Sequence, residues 1–169
     1  MIIFNEIIGH VPTVDMVLHT SEAEKVSKPE PVEITLDESK KYLGEAVNAK
    51  GADYVYKNVT NPDSGLETCA YFDPKTKKPS CIVGHVLASK GVTFDRLDGR
   101  DRNLYTNVQG LIDAEIIEVD NETQALLALA QNAQDLGETW GDALEKALNE
   151  YEQRAKDYDT EGYDEAYDY

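Results

Sequence analysis

The chain has 169 residues, which is the material of a single domain. Its 33 acidic and 16 basic residues give a formal net charge of −17 at pH 7, and no stretch approaches the roughly 18 consecutive apolar residues of a membrane helix. Because a strongly acidic chain is repelled by nucleic acids and anionic lipid, we predict neither direct nucleic-acid binding nor membrane binding.

Residues 1–31 are predicted to form an extended N-terminal arm and a linker. Apolar residues recur between Ile2 and Leu18, as in two short strands or an arm that packs on another surface, and Pro29 and Pro31 exclude regular structure at the linker. The first residues lack the basic and apolar regions of a secretory signal, and two cysteines are too few for a disulfide framework. We therefore expect a reducing, cytoplasmic location.

A helix over 36–50 and a β-hairpin are predicted next. Thr35 and Glu38 match a capping box, and Gly51 is a typical helix stop. The β-rich stretches 53–60 and 66–72 flank a turn of the composition Asn-Pro-Asp-Ser-Gly.

The middle of the chain is predicted to contain two more helices. Ser80 is the expected N-cap of a short apolar helix that ends at Gly91. A second helix is expected within 102–114, followed by an extended piece over 116–119.

The C-terminal third predicts two amphipathic helices, over 121–136 and 140–155, that form an αα-hairpin. Asn121 with Gln124 matches a capping box for the first helix, and Thr139 with Asp142 matches a start for the second. The expected packing is that of Trp140, Leu144 and Leu148 against Leu126, Leu129 or Ala133.

These elements together predict an α+β fold: a mainly helical single domain with a β-hairpin, a C-terminal αα-hairpin and extended N- and C-terminal arms. The expected division is an arm and linker over 1–31, a globular domain over 32–156 and an acidic tail over 157–169.

Cys69, Cys81 and His85 form the one small group with ligand chemistry. Thiolates and an imidazole suit zinc, and the spacing of Cys81 and His85 places them on one helical face. A disulfide, or a Cys81 nucleophile with His85 as its base, are alternatives. The preferred interpretation is two core thiols near a hydrogen-bonded histidine, with no cofactor.

The tail over 157–169 combines six acids with four tyrosines and no base. Such a composition is typical of a solvated segment, but tyrosines also supply contact area at low entropic cost. The candidate partner-binding residues are Tyr158, Tyr163, Tyr167, Tyr169, Asp157, Asp159, Asp164 and Glu165. The segment 73–102, in contrast, carries a net charge of +3, which predicts a polar molecule that orients its partners.

Two stretches carry a family resemblance. They are CAY at 69–71 with PSCIVGHVL at 79–87, and AQ at 130–131 and QD at 134–135 with WGDAL at 140–144. Over about residues 35–150 the chain resembles small proteins of actinobacteria and their phages that have no assigned activity. The resemblance implies a phage or mobile-element accessory protein in a bacterial host cytoplasm, and it carries over no catalytic residues.

The charge, size and lack of catalytic motifs predict an acidic protein-binding module, an accessory or inhibitory phage protein that acts on a basic, nucleic-acid-binding host protein. In the extreme case, the protein occupies the nucleic-acid groove of its target and acts as a nucleic-acid mimic. Two alternatives stay open: a virion or assembly component whose ordered arms join copies into a homo-oligomer, and a small zinc- or cysteine-dependent enzyme that uses Cys81 and His85.

Overall fold

The computed structural model describes residues 29–61, 64–98 and 103–160, and within these ranges the fold is α+β and mainly helical. The elements in chain order are β1 (Val32–Glu33), α1 (Leu36–Lys50), β2 (Val59–Thr60), β3 (Glu67–Thr68), α2 (Ile82–Ser89), α3 (Phe94–Leu97), a 3-10 turn (Asn103–Tyr105), α4 (Val108–Asp113), β4 (Ile117–Glu118), α5 (Asn121–Asp135) and α6 (Trp140–Thr160). Of the predicted arm and linker over 1–31, residues 1–28 lie outside the described residues, as do the last nine residues of the chain.

Helix α1 begins and ends as its sequence predicts. The Thr35 hydroxyl accepts a hydrogen bond from the Glu38 amide, and a Glu38 carboxylate oxygen accepts one from the Thr35 amide at 3.1 Å. Gly51 follows the helix at a φ of 96°, a conformation that glycine adopts without a steric penalty. The predicted capping box is therefore confirmed.

The predicted N-caps of α2 and α5 are wrong, and each lies one residue from the observed N-cap. Cys81, not Ser80, is the N-cap of α2, and its sulfur accepts a hydrogen bond from the Gly84 amide at 3.3 Å. Asp120, not Asn121, caps α5 by accepting from the Thr123 amide at 2.7 Å. A carboxylate one residue upstream is the better acceptor for the first amides of a helix, because its charge also complements the helix dipole.

The predicted hairpin is confirmed, but its ladder is short. β2 and β3 pair antiparallel over two residues each, with Val59 opposite Thr68. The preceding stretch turns away from the hairpin towards α6, because the Tyr54 carbonyl accepts a hydrogen bond from the Trp140 amide at 2.8 Å and Val55 forms a bridge with Thr139.

The extended piece predicted over 116–119 contains β4, and it pairs with a strand that the sequence did not predict. β1 and β4 lie parallel, with Val32 opposite Ile117. The helix expected within 102–114 is divided into the 3-10 turn and α4, and α3 was not predicted.

The C-terminal αα-hairpin is confirmed. α5 and α6 pack against each other across a link in which Gly137 has a φ of 88°. α6 continues to Thr160, so the predicted boundary between domain and tail falls inside this helix. Trp140 is fully buried as expected, whereas Leu144 and Leu148 are half-buried at the edge of the core.

Helix α2 lies against the strand-like segment that contains Tyr71. A Cβ atom on Gly84 would lie 1.9 Å from the Tyr71 carbonyl oxygen. Only a glycine allows this approach, and it places the start of α2 directly beside Cys69 and Tyr71.

Candidate functional site

Cys69 and Cys81 lie next to each other beneath the start of α2. Cys81 is fully buried and Cys69 is half-buried, and both are free thiols. A hydrogen bond with Cys81 and, second to it, burial raise the pKa of the Cys69 thiol far above its usual range. The neutral thiol is thus strongly favoured, and Cys69 is a poor nucleophile at neutral pH.

Two buried glutamines of α5 connect this thiol pair to the surrounding backbone. Gln134 accepts a hydrogen bond from the Ile82 amide at 2.7 Å, and its amide nitrogen lies 3.6 Å from the Cys69 sulfur. Gln131 accepts from the Tyr71 hydroxyl at 3.2 Å. Sequence analysis missed both glutamines, although their spacing of three residues on an apolar helix face was the available indication.

His85 contacts a tryptophan of α6. Its ring meets the Trp140 ring edge to face, with centroids 5.5 Å apart, and its Nε2 atom is buried without a hydrogen-bond partner among the described residues. Burial, and next to it the charge of Lys50, lower the pKa of His85. The described ranges contain no three His, Cys, Asp or Glu residues grouped to hold a metal ion, so the zinc arrangement of Cys69, Cys81 and His85 is not formed there.

An open cleft of about 470 Å³ lies beside this region, between the end of α1, the hairpin and the loop 73–80. Four of its lining residues, called the cleft lysines below, are Lys50, Lys57, Lys75 and Lys78. Asp73 is the one acid among the described residues of the lining, and Tyr54 supplies an aromatic ring with the Lys50 ammonium 5.3 Å from its centre.

The cleft lysines differ from other lysines of the chain in their partners. Lys41, Lys77, Lys90 and Lys146 each have a carboxylate within 4.0 Å. The ion pairs found in the described residues include none of the cleft lysines. In a chain of net charge −17, four lysines line one cleft without a carboxylate partner among the residues that the structure describes.

The loop that carries two of the cleft lysines is fixed by its own hydrogen bonds. The Asp73 carboxylate accepts from the amides of Lys75 at 2.7 Å and Thr76 at 2.9 Å. Lys77 has a φ of 57°, and its ammonium lies 2.9 Å from Asp95, away from the cleft. The loop therefore presents Lys75 and Lys78 from a defined backbone.

A row of carboxylates lies along the exposed face of α6. Asp142, Glu145 and Glu152 recur at spacings of three and seven residues, which places them on one face of the helix, and all three are exposed. Glu138 extends the row and holds Lys146 at 2.7 Å. The row spans about 15 Å from the first aspartate to the last glutamate, at the usual rise of a helix.

The candidate partner-binding residues fall into two groups. Asp157, Tyr158 and Asp159 lie in the last turn of α6. The others lie outside the described residues: Tyr163, Tyr167, Tyr169, Asp164 and Glu165.

Comparison with protein-family models, with curated proteins and with solved structures finds no match to this chain. None of the helices in the described ranges has both the length and the apolar character that crossing a membrane requires.

Proposed function

We propose that this chain is an acidic protein-binding module, a phage-encoded accessory or inhibitory protein that acts in the host cytoplasm on a basic, nucleic-acid-binding protein. The observation that carries the proposal is the carboxylate row of α6, which presents three exposed negative charges on one face of a helix. Such a surface presents negative charge to a basic groove, as the phosphates of a nucleic-acid backbone do. The phage origin depends on the sequence resemblance alone.

The whole-chain charge supports the same proposal. A net charge of −17 accelerates the approach of a basic partner and repels nucleic acid. The molecule is also polar, because the cleft lysines lie together in one cleft while the carboxylate row lies on α6, which does not line that cleft among the described residues. Such a polarity orients the molecule as it approaches the partner.

The enzyme alternative gains no support from Cys81 and His85. The Cys81 side chain is fully buried, and its sulfur is already engaged by the Gly84 amide. The His85 ring packs on Trp140, and among the described residues no hydrogen bond joins it to Cys81. The assembly alternative depends on arms outside the described residues and stays a prediction.

Affinity capture with charge variants tests the proposal. The full-length chain is immobilised and exposed to nuclease-treated bacterial lysate, and retained proteins are identified by mass spectrometry. The row variant is Asp142→Asn, Glu145→Gln and Glu152→Gln together. The matched control removes three exposed acids elsewhere, by Glu45→Gln, Glu67→Gln and Glu118→Gln.

We expect a basic protein to be retained by the native chain and by the control, but not by the row variant. Duplex DNA should displace it, because both ligands occupy the same basic groove. Retention of the same proteins by both variants, or of acidic proteins only, would contradict the proposal.

A further inference from the structure

The cleft lysines create a site for an anion that the carboxylate row does not explain. Their charges repel one another, and Asp73, the one acid among the described lining residues, has its carboxylate engaged by two loop amides. We infer that this cleft binds the acidic, tyrosine-containing segment 161–169 of a second copy of the chain. The inference is independent of the proposed host target, because the two use different surfaces.

Charge complementarity supports this occupant. The segment 161–169 has the sequence EGYDEAYDY, with four acids, three tyrosines and no base. Its carboxylates can form ion pairs with the four cleft lysines. Its tyrosine rings can pack beside Lys50 and Tyr54 on one wall of the cleft, where a further aromatic ring contacts both the Lys50 ammonium and the Tyr54 ring. The cleft volume is within the range of ordinary ligand pockets.

The backbone of the cleft favours carboxylates spread along a peptide over a compact phosphate. Phosphate sites generally use several free amides at a loop or at a helix N-terminus. Here the Lys75 and Thr76 amides are engaged by Asp73, and at the start of α2 the Ile82 amide is engaged by Gln134. What remains is a set of flexible lysines, which accommodate separated charges.

The path of α6 favours a second copy over the same chain. α6 starts beside the cleft, where the Trp140 amide bonds to Tyr54, and its 21 residues lead away for about 30 Å. The nine residues that follow can span about 30 Å when fully extended. All nine residues would therefore be needed only to reach the cleft of the same chain, and none would remain to bind in it. The whole segment can instead bind in the cleft of a neighbouring copy.

Such a contact is head-to-tail, so it links copies in series. Its affinity depends on salt in a specific way, because the net charge of the chain repels the segment at long range while the cleft lysines attract it at short range. At about 0.1 M salt the screening length is about 10 Å, which suppresses the long-range repulsion more than the local attraction.

Fluorescence anisotropy tests the site. A labelled peptide of residues 161–169 is titrated with the full-length chain at 0.1 M salt, at concentrations where the chain is monomeric. Lys75→Glu reverses the charge of one cleft lysine. Lys41→Glu makes the same charge change on α1, outside the cleft, and is the matched control. Both residues are exposed, and no hydrogen bond within the fold depends on the Lys75 side chain among the described residues.

We expect Lys75→Glu to weaken peptide binding by about tenfold and Lys41→Glu by no more than about twofold. Equal effects of the two variants, or no binding by the native chain, would overturn the inference. Inorganic phosphate should compete no better than chloride at equal ionic strength. Competition at much lower concentration would assign the cleft to phosphate and also overturn the inference.

Sedimentation of the full-length chain tests the head-to-tail contact directly. A tail variant, Asp164→Lys with Glu165→Lys, and a cleft variant, Lys75→Glu with Lys78→Glu, should each remain monomeric where the native chain associates. Mixed together, they should form a complex, because the native tail of the cleft variant then meets the native cleft of the tail variant. No complex on mixing, or association of the cleft variant alone to the same extent as the native chain, would refute the contact.

Discussion

The side-chain oxygen of Gln134 lies 2.7 Å from the Ile82 amide, so the end of α5 supplies the hydrogen-bond acceptor for the first residue of α2. The N-terminal amides of a helix have no partner within the helix. In α2, the Cys81 sulfur satisfies the Gly84 amide and a residue 52 positions away satisfies the Ile82 amide. α2 thus depends on α5 for the acceptor of its first amide.

We predict that Gln134→Ala lowers the free energy of unfolding by about 1–3 kcal/mol, because it leaves the buried Ile82 amide without an acceptor. Urea denaturation at pH 7 measures the loss. Asn132→Ala, at an exposed position of the same helix, is the control and should change stability by less than about 0.5 kcal/mol. Similar effects of the two substitutions would refute the role assigned to Gln134.

Alanine substitutions at two helix glycines should change the stability of the fold in opposite directions. Gly84→Ala is expected to cost at least about 3 kcal/mol or to prevent folding, because its Cβ would lie 1.9 Å from a backbone oxygen that cannot move aside cheaply. Gly44→Ala on α1 meets nothing within 4 Å, so it should stabilise the chain by about 0.5–1 kcal/mol through helix propensity. Thermal unfolding of both variants checks the pair, and a stable Gly84→Ala variant would contradict the close packing of α2.

The parts of the fold that the sequence predicted are those governed by local chemistry. The Thr35 and Glu38 capping box, the glycine after α1 and the spacing of apolar residues in α5 and α6 all act within a few residues. They locate the long helices to within a few positions. The one-residue errors at Cys81 and Asp120 arose because several neighbouring residues offer acceptable caps, and only the packed structure selects among them.

The parts that could not be predicted depend on contacts between distant segments. The parallel pairing of Val32 with Ile117 joins two strands of two residues each, which leave no periodic pattern in the sequence. The sequence placed His85 near Cys81 by helix spacing, but Trp140, 55 residues further on, provides its actual contact. The cleft likewise assembles lysines from three separate segments, of which only the loop was marked by its local charge.

Stability should fall as the pH rises above about 8.5, the ordinary pKa of a thiol. The pKa of Cys69 is raised in the folded chain, so the unfolded chain releases this proton first and is favoured by each further increase in pH. The contribution of the Cys69 thiol to the free energy of unfolding is complete below the pKa of this thiol in the unfolded chain. Above that pKa it is lost by up to about 1.4 kcal/mol per pH unit. Urea denaturation at pH 7, 8.5 and 9.5 under reducing conditions measures the loss.

Cys69→Ser supplies the comparison for that titration, since a hydroxyl does not ionise in this range. The variant should start from a lower stability at pH 7 but decline less between pH 8.5 and 9.5. Above pH 10 both proteins should lose further stability, because burial raises the pKa of Tyr56 and of Tyr71. A decline of equal slope in the variant would show that Cys69 does not cause the loss.

The fluorescence of Trp140 should report the protonation of His85. Trp140 is the one tryptophan of the chain, and its ring contacts the His85 ring at 5.5 Å. A protonated imidazole quenches indole emission, and burial lowers the pKa of His85, with Lys50 adding to the effect. The emission of the folded chain should therefore decrease as the pH falls, with a midpoint below the usual value of about 6.5.

The sign of the corresponding change in stability follows from the same shift. A histidine whose pKa is lowered by folding favours the folded state above the unfolded pKa, and this contribution is lost as the pH falls. His85→Gln should abolish the fluorescence transition while keeping Trp140 buried, as judged by an unchanged emission maximum at pH 7.5. Lys50→Gln should move the midpoint upward, because it removes the positive charge that opposes protonation. A transition that persists in His85→Gln would mean that another group quenches Trp140, and a midpoint at or above the usual histidine value would contradict the buried environment of the ring.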